Sequence, residues 1–167
     1  MCIVGEANAW PYFEGKRETE YPDELVHWMA HRLATGETFE LVIAPRNPLS
    51  ARTPVNINLT PEALHAGGAL PTFLEQWRAF VRDTDVLCGW GHYSMRLLDA
   101  VGGHLPPTLL DVRQLARDAS LRKVGTVEEY RESLGTALSP PLGRGRAGVR
   151  LAQLADIMRF LQEMAGG

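Results

Sequence analysis

Several things are scarce in this chain, and each scarcity narrows what it can be. Cysteine occurs only at positions 2 and 88, both inside apolar runs and without metal-type spacing. That excludes a disulfide scaffold and a cysteine-held zinc site. The pair reads as buried thiols of a reducing compartment, so a cytoplasmic protein is expected. Of the 17 basic residues only Lys16 and Lys123 are lysine, a compositional bias towards arginine rather than a motif. Positive charge is not in excess: the formal net charge is −3, so no global basic field draws in nucleic acid. Long hydrophobic runs, internal repeats and heptads are missing, and we expect no membrane span, leader, solenoid or coiled coil. What is present is ordinary for a globular chain, with 45% hydrophobic and 22% charged residues. A length of 167 residues suits one domain over residues 1–167, burying roughly two-thirds of its unfolded surface.

The most informative stretch is 85–98. Val86, Leu87 and Cys88 form a short apolar run that predicts a buried strand. Gly89 and Gly91 break it, and from Tyr93 the apolar residues Leu97, Leu98 and Val101 recur at helical spacing. A strand feeding a helix through a glycine turn sets that turn at the carboxyl edge of a sheet, where α/β proteins carry ligands and chemistry. Trp90, His92 and Ser94 occupy this address.

Around it the chain divides into further elements. Residues 1–4 open in an apolar strand that runs into Gly5, Glu6, Ala7 and Asn8, and an aromatic loop follows at 10–13. The charged stretch 15–20 predicts a solvated segment. Residues 25–33 and 38–43, with Gly36 between them, predict a β-hairpin. On such a strand His27 and His31 share a face but stand about 13 Å apart, too far for one ion. Residues 45–54 read as loop. Thr60 then Pro61 is a helix start, and Pro71 opens a helix whose stripe of Phe73, Leu74, Trp77, Phe80 and Val81 belongs to the core. A loop at 102–107 leads to Leu109, Leu110 and Asp111, and 112–119 predicts a helix. Residues 126–134 begin with a capping box, Thr126 and Glu129, and 139–148 reads as loop. The last helix is expected from about Val149, with Leu151, Leu154, Met158, Leu161 and Met164 on one face.

This order of elements, and several phrases within it, resemble the DEDD-type 3′–5′ exonucleases of the ribonuclease H-like superfamily. The phrases are the hairpin ELVHWMAHRLATGETFELVIAPRNPLS, the helix starts LTPEAL and PTFLEQWRAFV, and LDVRQLAR, which is similar to the family's Asp-Thr-x-x-Leu-Ala-Arg. The likeness runs over nearly the whole chain. It implies an α/β fold, a mixed central sheet flanked by helices, with the first strand beside that at 85–89 and both cysteines buried.

In that family four carboxylates hold two divalent cations and a histidine acts as general base. The resemblance carries the first carboxylate onto Val4, the second onto Glu6 and the third onto Ser94, with the family's asparagine on Trp90. In the last motif the base falls on Gly145, Ala147 matches, and the fourth carboxylate falls on Arg150; Asp111 matches a family position outside the metal ligands. One ligand in four remains, which implies a pseudoenzyme with no resident cofactor, Mg²⁺ or Mn²⁺ entering only if residual exonuclease activity survives.

Three uses stay open for such a fold, and we expect the first, a binding or regulatory module that works through protein contacts. A regulatory module would meet a protein partner through the loop at 10–13. A non-cleaving nucleic-acid binder would use Asn8, Trp10, Trp90 and His92 in the groove, and Arg113, Arg117, Arg122, Lys123, Arg144, Arg146 and Arg150 on phosphates. A repurposed enzyme would draw on His92 and Ser94, or on Cys88. We expect Arg150 to point into the vacated centre and pair with Glu6, because a buried carboxylate needs a counter-charge.

Overall fold

A computed structural model describes residues 1–13, 16–17, 19–121 and 123–166, with only the backbone at 12, 13, 16 and 17. Arg122 and much of the charged stretch at 15–20 therefore lie outside the described residues. The strands are β1 (Cys2–Asn8), β2 (Tyr12–Phe13), β3 (Lys16–Arg17), β4 (Glu24–His31), β5 (Thr38–Val42), β6 (Val86–Gly89) and β7 (Thr108–Asp111). The helices are α1 (Thr53–Ile57), α2 (Pro61–His65), α3 (Leu70–Phe80), α4 (Tyr93–Ala100), α5 (Val112–Ser120), α6 (Val127–Ser133) and α7 (Gly145–Gly166).

Five strands form one mixed sheet in the order β5-β4-β1-β6-β7. The hairpin β4–β5 and the β1–β4 pair are antiparallel, whereas β1–β6 and β6–β7 are parallel. Cys2 stands opposite Cys88, both buried, as expected. Side chains alternate across β1. Cys2 and Val4 face a core shared with α5, α6 and α7, and Ile3 faces a second core built on Trp28, Phe73 and Trp77 under α3 and α4. Glu6 continues the series of Cys2 and Val4 towards α7, and a bulge between Glu6 and Ala7 then ends the regular register. A helix face thus covers the carboxyl end of the central strand.

Local signals placed most elements. Thr60 accepts a hydrogen bond from Ala63 N, and Thr126 with Glu129 forms the full capping box. Two elements differ from expectation. The short helix α1 begins in the last two residues of the stretch that reads as loop, with Pro54 in its first turn, and runs on to Ile57. Helix α7 starts at Gly145, four residues before Val149. Its two early glycines read as loop, but Gly145 sits at φ +60° and opens the helix, while Gly148 lies inside it against residue 143. Among the described residues no helix is long and apolar enough to cross a membrane.

Gly148 gives a test whose sign is opposite to helix propensity. Propensity alone makes Gly→Ala within a helix favourable by about 1 kcal/mol. Here a Cβ would meet the backbone oxygen of Gly143 at 2.0 Å, and the loop before α7 is held there by Leu142 N donating to Gly148 O. Gly148→Ala should therefore destabilise by about 1–3 kcal/mol in urea unfolding, as overpacking does. A stabilised variant would show that this loop gives way freely.

Candidate functional site

The carboxyl end of β1 opens into a cleft of about 390 Å³ lined by Ile3, Glu6, Trp90, Ser94, Arg113 and Arg146, among others. Glu6 is the chemical centre of it and is only 2% exposed. A carboxylate so placed needs a partner, and α7 supplies two. Arg146 grips it with both prongs, Nε donating to Oε1 at 3.0 Å and Nη2 to Oε2 at 2.5 Å. Arg150, one turn on and on the same face, brings Nη1 to 3.6 Å from Oε1. Its Nε donates to Glu128 Oε1 of α6 at 2.6 Å. Arg150 does line the Glu6 cleft and approach the carboxylate, but the two-pronged bond to Glu6 belongs to Arg146. The earlier start of α7 explains the exchange, since it puts Arg146 on the helix rather than in a loop.

The same pattern extends outward. Arg144 Nε donates to Glu40 Oε1 of β5 at 2.9 Å, and Glu40 also bonds the fully buried His27 Nε2 at 3.1 Å. Cations at a helix N-terminus oppose the helix dipole, and the first turn of α7 holds no acid of its own. Carboxylates from β5, β1 and α6 compensate for it. Burial works against the Arg146 guanidinium, yet the hydrogen bond and charge of Glu6 hold its pKa above the ordinary value. Burial likewise works to raise Glu40 and Glu128, but Arg144 at the one and Arg150 at the other hold them below the usual carboxylate range.

The other positions are closed in their own ways. Ser94 Oγ accepts from Gly5 N at 2.9 Å, tying α4 to β1. Gly145 has a left-handed backbone, and a Cβ there would meet Ile57 O at 2.7 Å. Val4 lies in the core. Among the described residues no three His, Cys, Asp or Glu side chains come together in a way that could hold a metal ion. A pair of divalent cations needs several free carboxylate oxygens. Here the one central carboxylate is taken by arginines and the remaining positions carry a methyl-branched chain, a bonded hydroxyl and a cation. The residues do not fit such a pair.

No family model and no curated protein matches the chain. Solved structures do. The nuclease domain of 3′hExo, a DEDDh family member bound to rAMP, superposes with a TM-score of 0.70 at 17% identity, covering 99% of this chain and 91% of that one. Exonuclease X in complex with 5′ overhanging duplex DNA gives 0.70 at 11% identity, with 99% and 92% covered. Cell-death related nuclease 4 gives 0.69 at 10% identity, with 98% and 64% covered. The chain has the DEDDh exonuclease fold. At these identities it is the fold that is shared, and the site must be read from this chain's own residues.

Within the exonuclease fold the remaining expected residues fall in different places. Asn8 is a correction: it is 1% exposed and fully engaged. Its Nδ2 donates to Glu24 and Pro48 O, and its Oδ1 accepts from Ser50 N and Thr53 Oγ1, so it holds the loop rather than a ligand. Trp10 is half-buried against Tyr21 and its indole nitrogen is enclosed, which makes it a poor stacking platform. The side chains of Tyr12 and Phe13 lie outside the described residues. Trp90 does line the cleft, pinned by Nε1 donating to Gly125 O at 3.2 Å and by the Tyr130 ring. His92 is exposed, 3.5 Å from Asp111. Cys88 faces the core, where burial raises its thiol, while Ser94 and His92 hold separate partners, so no nucleophile is assembled from the three.

Arg146→Ala should cost about 3 kcal/mol in unfolding, the low end for stranding a buried charge because the arginine keeps some contact with water. Arg150→Ala should cost about 1 kcal/mol or less. Equal losses would show that the two arginines share Glu6. A pH series gives a second test. Burial holds His27 below its ordinary 6.5, although Glu40 pulls the other way, and burial lowers His31 too. The unfolded chain therefore takes up these protons first, so their stabilisation is complete above 6.5 and drains away as pH falls below it. The depressed Glu40 and Glu128 add stability above 4.5 that is lost at lower pH. Unfolding free energy should fall in two acid steps, and His27→Gln should flatten the first. A flat profile from pH 7.5 to 5.5 would contradict it.

Proposed function

We propose that this chain uses the exonuclease fold to bind without cutting. One observation carries the reading: the Arg146 guanidinium closes on both oxygens of Glu6, where the family resemblance puts a metal-binding carboxylate. A displaced cation pair leaves the cleft itself standing. Its lining includes an indole, Trp90, and the arginines Arg113 and Arg146, the residue types that hold a single strand by stacking and by phosphate contact. Two fold neighbours are seen with rAMP and with 5′ overhanging duplex DNA, which supports the end of a nucleic-acid strand as the ligand. Nothing described at the 10–13 loop favours the protein-partner reading over this one.

The negative net charge does not oppose it, because binding answers to the local field and not to the sum. The internal cations take over the role of counter-ions. They are covalently tethered, so chelators leave the cleft unchanged.

Labelled single-stranded DNA and RNA should be retained by the chain at low salt and remain uncut in Mg²⁺ or Mn²⁺. Retention should fall steeply as salt rises, in proportion to the phosphates contacted. Arg113→Ala should weaken it, and a chelator should not. Cleavage that disappears in Glu6→Gln would overturn the proposal, as would failure to retain either strand.

A further inference from the structure

The arginines of this chain are not distributed evenly with respect to their partners. Arg32, Arg46, Arg78, Arg82, Arg131, Arg144, Arg146, Arg150 and Arg159 each stand within ion-pair distance of a carboxylate. Among the described side chains those with no such partner are Arg52, Arg96, Arg113, Arg117 and Lys123. All but Arg52 line one concavity of about 510 Å³ between α4 and α5. It is a separate chamber from the Glu6 cleft and touches it only through Arg113.

The acid content of this chamber is small. Asp111 is the carboxylate that lines it. Its Oδ1 accepts from Gly91 N and Gln114 N, both at 3.1 Å, and its Oδ2 stands 3.5 Å from His92. Asp118 is bonded by Gln114 Nε2 at 2.7 Å and is not part of the lining. Arg113 donates to Val124 O and Arg96 rests near the Tyr93 ring, contacts that orient a guanidinium without cancelling its charge. Like charges gathered on one concave surface repel each other, and elsewhere in this chain, short of positive charge overall, nearly every arginine whose side chain is described is paired. An external anion relieves the repulsion.

We propose that this chamber binds a small molecule carrying a chain of phosphates, a diphosphate or longer. Guanidinium forks match phosphate oxygens two at a time, and the lysine adds a point charge of the kind that phosphate chains bind. A nucleic-acid strand spreads its charges along a groove, whereas here the unpaired cations share a single pocket. That favours a ligand whose negative charges sit on adjoining groups. The site stands whether or not the Glu6 cleft binds a strand, since Arg96, Arg117 and Lys123 do not line that cleft.

Titration calorimetry of the full chain with inorganic tripolyphosphate, orthophosphate and citrate at about 0.15 M salt tests it. Tripolyphosphate should bind at least about tenfold more tightly than either of the others. Arg117→Ala and Lys123→Ala should each weaken it about tenfold, the loss of one charge-assisted contact. Both side chains are exposed, so the variants should fold, and an unchanged melting curve would confirm this. Arg52→Ala should leave binding unchanged. No binding, equal binding of citrate, or indifference to the Arg117 and Lys123 changes would overturn the proposal. So would displacement of tripolyphosphate by a twelve-residue oligothymidylate at a lower concentration of phosphate groups, which would assign the chamber to a strand.

Discussion

A carboxylate sealed from water must be neutralised from within reach, and in this chain that requirement falls on Glu6. The centre is organised by the answer. Arg146 reaches it only because α7 begins at Gly145, and α7 begins there because a glycine can adopt the left-handed backbone beside Ile57 O. The pairing thus ties the first strand to the last helix across the length of the chain. It also fixes the electrostatics of the helix entrance, where Arg144, Arg146 and Arg150 would be out of place without the acids of three other elements facing them.

The consequence for function is a change in what the cleft can polarise. Paired cations concentrate positive charge on a water and on a leaving oxygen. A guanidinium paired with a carboxylate offers its remaining N–H groups and a diffuse charge instead. Such a surface suits the holding of an anion, the role proposed above. The exonuclease outline is present, with the fold neighbours superposing over nearly all of this chain, and at the end of its central strand Glu6 is held by the protein's own cations.

Much of the architecture was legible because its signals are local. The Thr126–Glu129 capping box, the proline at the start of α2, the apolar stripe of α3 and the hairpin around Gly36 each depend on residues a few positions apart. The entrance of α7 was not, because Gly145 and Gly148 argue for loop unless one knows that residues 57 and 143 press against them. The role of Asn8 was hidden for the same reason, its four partners lying at least 16 residues away. For Arg146 one sign was available, its i,i+4 spacing from Arg150, whereas nothing in the sequence marked Glu128 as the acid beneath Arg150. The charge segregation around α4 and α5 is invisible to a net charge, which adds what the fold keeps apart.

The glycine that opens α7 also sets the order in which a hydrolytic centre could be designed onto this backbone. Carboxylates placed at 4, 94 and 150, where the family resemblance puts metal ligands, would still leave no room for a side chain at 145, where the peptide oxygens of Ile57 and Asn58 already press in. Such a design would have to begin in the 57–59 segment, by moving the end of α1 aside. Only then could a histidine be installed, and only after that would the metal ligands have a base to serve.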